Sequence, residues 1–305
     1  MLPVDIDSFP LWLRINHFVN ILVIFILMRS GYQIFFDHPK LYWNDDATPG
    51  SEWFRLTKKV MPKDKLWTSM DEAETPPNSI VALPGGFHNL GSGRRWHFFA
   101  AIIWTLNGLV YVSLLVITGQ WRRLIPTSVS VVYGAWETVK AYASFHMPPL
   151  SAFHPYNPLQ QLAYAGIVFV VSPLMILTGV AQAPALAARY PWYTRIFGGR
   201  QAARSIHFIC FAALVAFTVI HVFLVVVERF PQHMGNIVLG SSTGHLGAAT
   251  AIGIAALAGV VLLNVWITRV TLQKQSRVQA VLDTVIEPVI QALFGGLHSR
   301  QKYSR

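Results

Sequence analysis

The chain has 305 residues, 53% hydrophobic and only 12% charged, with a mean hydropathy of +0.43. An ordinary soluble domain carries about 25% charged residues, so the balance excludes that class and points to a multi-pass membrane protein. The formal net charge of +10 then fits lipid headgroups and anionic cofactor groups rather than nucleic acid, and the single cysteine, Cys210, excludes a disulfide framework, a CxxC zinc site, a CxxCH haem attachment and cysteine-held iron–sulfur clusters.

Taken in order, residues 1–10 are a short polar lead, and Leu11 to Met28 is a first apolar span long enough to remain in the membrane. Arg29-Ser30-Gly31 is expected to end it. Residues 32–95 are too polar to span and are expected to cap one membrane face. They include the charged stretch Arg55 to Lys65 and the turn-rich Pro84-Gly85-Gly86-Phe87-His88. A second span runs from Trp96 to Thr118. Val129 to Phe145 reads as an amphipathic helix lying in the interface. The third span, Leu159 to Ala181, contains Pro173, a candidate kink. The fourth is the histidine-bearing stretch from Ser205 to Glu228.

The fold class expected is therefore an all-α membrane protein, a transmembrane helix bundle. Residues 1–235 form its four-helix part with the long loop at 32–95. Residues 246–268 form a fifth transmembrane helix, and 269–305 a basic extramembrane tail.

His207 and His221 are 14 residues apart in the fourth span. At about 3.6 residues per turn and 1.5 Å per residue, that is close to four whole turns and roughly 21 Å, so both imidazoles share one helix face at opposite membrane depths. Spans alternate in direction. His17, near the start of span one, therefore falls at the depth of His221, and His97, near the start of span two, at that of His207. A lone membrane histidine is more often a hydrogen-bonded structural residue or part of a proton path. Four that sort two by two fit axial ligands of two haem irons, His97 with His207 and His17 with His221. Haem propionates need cations near the water interface. Arg94 and Arg95 precede His97, Arg200 and Arg204 precede His207, and Arg14 shares the helical face of His17. Each arginine is also a normal interfacial lipid anchor. Gly31, Gly108 and Gly179 would let a flat macrocycle approach a helix, or serve helix packing.

Arg14-Ile15-Asn16-His17, Arg94-Arg95-Trp96-His97, the run Gly198-Gly199-Arg200-Gln201-Ala202-Ala203-Arg204-Ser205-Ile206-His207-Phe208, and His221 resemble the bacterial dihaem cytochrome b family. That family includes the membrane subunits of formate dehydrogenase, nickel–iron hydrogenase and thiosulfate reductase. His38-Pro39-Lys40-Leu41-Tyr42-Trp43, Tyr156-Asn157-Pro158-Leu159-Gln160 and Pro173-Leu174-Met175-Ile176-Leu177-Thr178-Gly179 are similar to motifs of the thiosulfate reductase branch, and the likeness covers residues 10–235. It implies haem ligation by the four histidines, electron exchange with a membrane quinone, and a redox partner subunit, often a molybdenum enzyme. It places the quinone near the haem on the N-terminal side. Asn157 and Gln160 are the matching candidates there, with Asn16, His146 and His154 as further polar groups. Asn157 reads equally as a helix N-cap before Pro158. The tail from Leu297 to Arg305 is similar to the junction where some relatives continue into a sulfite-oxidase-like molybdenum domain.

The resemblance implies a bacterial inner-membrane protein with a cytoplasmic N-terminus. Charge counting points the other way. Only Arg14, Arg122, Arg123, Lys140 and Arg229, five of the 24 lysines and arginines, fall on the N-terminal side. The 32–95 connection, however, exceeds the roughly 60 residues over which the positive-inside rule operates. Three other readings compete with the relay: a histidine-relay transporter, a redox-inactive membrane anchor, and a self-contained cytochrome b561-like quinone reductase.

Overall fold

The computed structural model of the chain describes residues 6–60, 69–74, 90–149, 153 and 155–294. Its long helices are α1 (Leu11–Asp37), α2 (Leu90–Ile117), α3 (Ser130–Ala143), α4 (Pro158–Ala181), α5 (Arg200–Val227), α6 (Leu246–Gln273) and α7 (Gln275–Phe294). All but α3 and α7 are long and apolar enough to cross a bilayer. In hydrocarbon every backbone N–H and C=O must be paired inside the segment, which a continuous helix achieves alone. The chain is thus an all-α membrane helix bundle.

α1 does not stop at Arg29-Ser30-Gly31 but continues to Asp37. Each of those residues is accommodated locally. The Arg29 guanidinium donates to Asn264 Oδ1 at 3.1 Å and Thr268 Oγ1 at 2.9 Å on α6. Ser30 Oγ donates to the Ile26 carbonyl one turn back. α2 starts at Leu90 rather than Trp96, so Arg94 and Arg95 are helical. Gly93 permits its close approach to α1, where a Cβ would lie 3.1 Å from Gln33 Cγ. In α4 a π-helical turn, Ile167–Val171, precedes Ser172-Pro173. Proline has no N–H and its ring crowds the carbonyl four residues back, and a π-turn absorbs both faults.

α5 begins after Gly198 and Gly199, at φ +85° and +110°. Asp45 Oδ1 accepts from the Gln201 amide at 2.7 Å, a carboxylate capping the positive end of the helix. A Cβ on Gly199 would meet Asp45 Oδ2 at 2.6 Å.

Contacts group the chain into two compact units. One comprises Met1–Ile21, Thr105–Pro173 and Ala213–Val260, the other Leu22–Trp104, Leu174–Ala212 and Val261–Arg305. In the second, the cap expected at 32–95 includes an antiparallel strand pair, Lys40–Leu41 with Phe54–Arg55. Its apolar centre is Phe35, Phe36 and Leu41, packed by Tyr32, Phe54 and Phe208. Lys40 pairs with Glu72 at 2.7 Å. Pro84 to His88, and the charged stretch beyond residue 60, lie outside the described residues. The same unit holds the end of α6 and α7. Trp96 Nε1 donates to Thr271 Oγ1 at 3.2 Å, and Arg95 pairs with Asp283 of α7 at 2.8 Å. In the first unit α3 buries Ala135 and Thr138 and exposes Val132, Tyr133 and Trp136. That is the two-faced pattern of an interfacial helix.

Candidate functional site

The four intramembrane histidines form two pairs, one within each unit. His97 and His207 have ring centroids 6.3 Å apart at 67°. His17 and His221 have theirs 6.4 Å apart at 60°. A metal–imidazole nitrogen bond is about 2.0 Å and the ring centre lies roughly 1.2 Å beyond it, so two axial imidazoles on one metal have centroids about 6.4 Å apart. Both pairs have that spacing. Among the described residues no group of three or more His, Cys, Asp or Glu converges. The donor set is therefore two imidazoles per centre, which fits haem, whose macrocycle supplies the other four nitrogens.

Hydroxyl groups fix the rings of the first pair. Ser30 Oγ commits its proton to the Ile26 carbonyl and lies 2.9 Å from His97 Nδ1. Thr178 Oγ1 commits its own to the Leu174 carbonyl and lies 3.1 Å from His207 Nδ1. Each oxygen is placed to accept from Nδ1–H, the tautomer that leaves Nε2 unprotonated and able to bind a metal. Gly179 and Gly31 flank these rings. A Cβ at Gly179 would lie 3.3 Å from His207 Cε1, and one at Gly31 3.8 Å from His97 Cε1. At Gly108 nothing beyond its own helix turn lies within 4 Å of such a Cβ among the described residues.

The second pair is held more loosely. Tyr164 OH is 3.4 Å from His221 Nδ1, and Phe217 stacks on the His221 ring at 5.6 Å and 11°. His17 Nδ1 is buried with no hydrogen-bond partner among the described residues.

The expected propionate cations have protein partners of their own. Arg14 Nη1 donates to the Val238 carbonyl at 2.5 Å, and Arg200 Nε to the Gln182 carbonyl at 3.1 Å. Arg204 holds the carbonyls of Lys40, at 3.1 Å, and His38. Arg95 is paired with Asp283, and Arg94 is exposed at the start of α2. A guanidinium has five N–H donors, so these bonds orient the arginines without exhausting them.

Asn157 and Gln160 are committed to the N-terminus of α4. Asn157 Oδ1 accepts from the Gln160 amide at 2.9 Å, and Gln160 Oε1 from the Asn157 amide at 3.1 Å. This reciprocal capping box makes the N-cap reading of Asn157 the observed one. Asn16 is likewise engaged, donating from Nδ2 to Asn107 Oδ1 at 2.8 Å. His146 is exposed, and His154 lies outside the described residues.

Sequence reasoning missed a buried polar group beside this cap. Asn157 Nδ2 donates to Tyr142 OH at 3.3 Å, and Tyr142 OH donates to Glu228 Oε2 at 3.2 Å. Glu228 is only 1% exposed, and its Oε1 has no hydrogen-bond partner among the described residues. Burial pushes the Glu228 carboxyl above the usual carboxylate range. Burial and the neighbouring Glu228 push Tyr142 up to about 12. Burial and the Arg229 charge hold His233 below the ordinary imidazole value.

Comparisons with known proteins give the family. A family model described as prokaryotic cytochrome b561 matches residues 8–240. A putative protein-methionine-sulfoxide reductase subunit of Azospira oryzae, YedZ1, is 28% identical over 218 residues, covering 71% of this chain and 88% of that protein. No solved structure matches. The chain belongs to the prokaryotic cytochrome b561 family, and is a multi-pass bacterial membrane b-type cytochrome serving electron transfer.

Proposed function

We propose that this member of the prokaryotic cytochrome b561 family is a dihaem relay. His97 and His207 hold one b-type haem, His17 and His221 the other, and electrons pass between membrane quinone and a redox partner. The observation that carries the reading is the spacing of the two imidazole pairs, 6.3 and 6.4 Å. A bound haem supplies a one-electron Fe(III)/Fe(II) couple. The chain's own residues do the rest. Ser30 and Thr178 orient and strengthen their imidazoles, the apolar helices exclude water, and Arg14, Arg94, Arg95, Arg200 and Arg204 place positive charge where propionates meet the interface.

Within the family, the histidine quartet and the loop motifs favour the dihaem cytochrome b branch. The Azospira relative is described as a subunit, which supports a role inside a complex. Its description makes reduction of protein methionine sulfoxide the first partner chemistry to assay. The sequence resemblance adds a molybdenum centre in that partner, as a separate subunit or a domain. The same resemblance sets the N-terminus in the cytoplasm. With the five spans of the described residues, a Ser276→Cys label in a Cys210→Ser background is then reached by an impermeant reagent from the periplasm, and labelling only after permeabilisation reverses the orientation.

The quinone reading is tested by mixing the purified oxidised protein with a short-chain ubiquinol and with a menaquinol analogue. The expected result is a reduced b-type spectrum with at least one of them. Haem reduced by dithionite but by neither quinol contradicts it.

A further inference from the structure

We propose that Glu228, held by Tyr142 at the membrane face of the His17/His221 pair, is the proton-exchange group for a quinone or quinol that trades electrons there. This rests on the quinone reading above and adds to it a residue that neither motif nor family match points to.

The placement comes first. The Glu228 amide still bonds to the Leu224 carbonyl, so α5 geometry extends to it. It lies seven residues past His221, which is about two turns and 10 Å along the same face. A carboxyl at 1% exposure in a membrane protein is costly unless it is neutralised or partnered. Glu228 makes one hydrogen bond, from Tyr142, and its second oxygen has none among the described residues. The groups facing it are Tyr142 from α3, Tyr164 from α4, and Arg229 and His233 from the segment that follows. Arg229 is turned onto the Pro148 carbonyl and the Phe153 ring. The structure therefore keeps a carboxyl in a buried place with no salt bridge among the described residues, one oxygen already oriented by a hydroxyl.

The chemistry supplies a use. A quinol gives up two electrons and two protons in becoming a quinone. Ferric haem accepts electrons one at a time and no protons, so a protein base must take each proton as its O–H bond breaks. Glu228 as carboxylate would accept the proton of a quinol hydroxyl as the electron leaves for the one-electron couple that a haem held by His17 and His221 would supply. It would release that proton at the membrane face, and the second proton and electron would follow once the first electron had moved on to the redox partner. In reverse, protonated Glu228 would return protons to the quinone oxygens as electrons arrive. A carboxyl raised by burial, with one oxygen oriented by Tyr142 and the other unbonded among the described residues, suits this exchange in both directions. Asn157, the sequence's own candidate, serves the relay by holding Tyr142.

The test uses the full-length haem-loaded protein. The rate of haem reduction by a short-chain quinol is followed from acid to alkaline pH, and the reduced-minus-oxidised infrared difference spectrum is recorded. Glu228→Gln keeps the shape and the Tyr142 bond but cannot take up a proton. It is expected to slow quinol-driven reduction about 10²-fold, the lower range for loss of a general base. It should also flatten the pH profile and remove a carboxyl C=O signal from the infrared difference, while the dithionite-reduced spectrum and haem content stay as in the wild type. A Glu228→Gln protein with the wild-type rate, profile and infrared signal overturns the proposal. If Glu228→Gln fails to assemble, Tyr142→Phe decides. Loss of its hydrogen bond should move the pH midpoint upward, and an unmoved midpoint overturns the proposal. A wild-type protein reduced by dithionite but by no quinol instead sinks the quinone reading itself, a result the Glu228→Gln comparison cannot mimic.

Discussion

His97→Ala and His207→Ala are each expected to lose the same one of two haems, and His17→Ala and His221→Ala the other. The two imidazole pairs lie in separate compact units, with no side chain shared between their ligand sets. Removing one imidazole leaves a buried opening and a single protein ligand where the pair would hold a haem. The retained histidine keeps its hydroxyl neighbour in three of the four variants, and in His221→Ala the retained His17 has no Nδ1 partner among the described residues to lose, so the fold should survive. The cost at Ser30 or Thr178, an oxygen left without its Nδ1–H donor, is about 1–3 kcal/mol. The check is haem per chain by haemochrome spectrum, with a redox titration on the remainder. Wild-type protein should titrate in two one-electron steps and each single variant in one. A variant of one pair that removes the step assigned to the other would break the pairing.

Thr178→Val and Ser30→Ala should leave both haems bound and raise the potential of the His97/His207 haem. An Nδ1–H hydrogen bond pushes electron density toward Nε2, which stabilises ferric more than ferrous iron, so losing it favours reduction. Outer-shell partners of metal-bound histidines are typically worth tenfold or more, and a tenfold change for one electron is about 59 mV. Tyr164→Phe should shift its haem less, because its hydroxyl is 3.4 Å from His221 Nδ1 where Ser30 and Thr178 lie at 2.9 and 3.1 Å from theirs. The same comparison orders the wild-type potentials. His17 Nδ1 has no partner among the described residues, so the His17/His221 haem should be the easier to reduce. A potentiometric titration of the single-haem variants reads both effects, and a downward shift in Thr178→Val would reverse the argument.

Histidine pairing was legible in the sequence because depth in a spanning helix is fixed by position along it, and alternating spans turn four positions into two levels. Helix ends were less legible. Arg29 looked like a terminus because a membrane arginine is costly, and its partners, Asn264 and Thr268, come from a helix over 200 residues later. The hydroxyls of Ser30 and Thr178 were silent, since serine and threonine in apolar helices commonly bond back to their own carbonyls. These do so, and serve a histidine with the same oxygen. Arg95 and Arg204 read as propionate anchors, and the partners that orient them, Asp283 and the carbonyls of residues 38 and 40, were not legible because they come from distant parts of the chain. Asn157 and Gln160 did carry a readable signal. Asn-Pro-x-Gln with the glutamine three residues on is a capping box at a helix start. Glu228 passed for an ordinary charge at a span end, because burial by α3 cannot be read from its own neighbourhood.

The haem content of the purified protein made with ample haem supply, read from a dithionite-reduced minus oxidised spectrum and a haemochrome assay, decides whether the chain is a dihaem cytochrome. The expectation is two b-type haems per chain. A colourless protein, or one holding a single haem that survives the loss of either histidine pair, would contradict it.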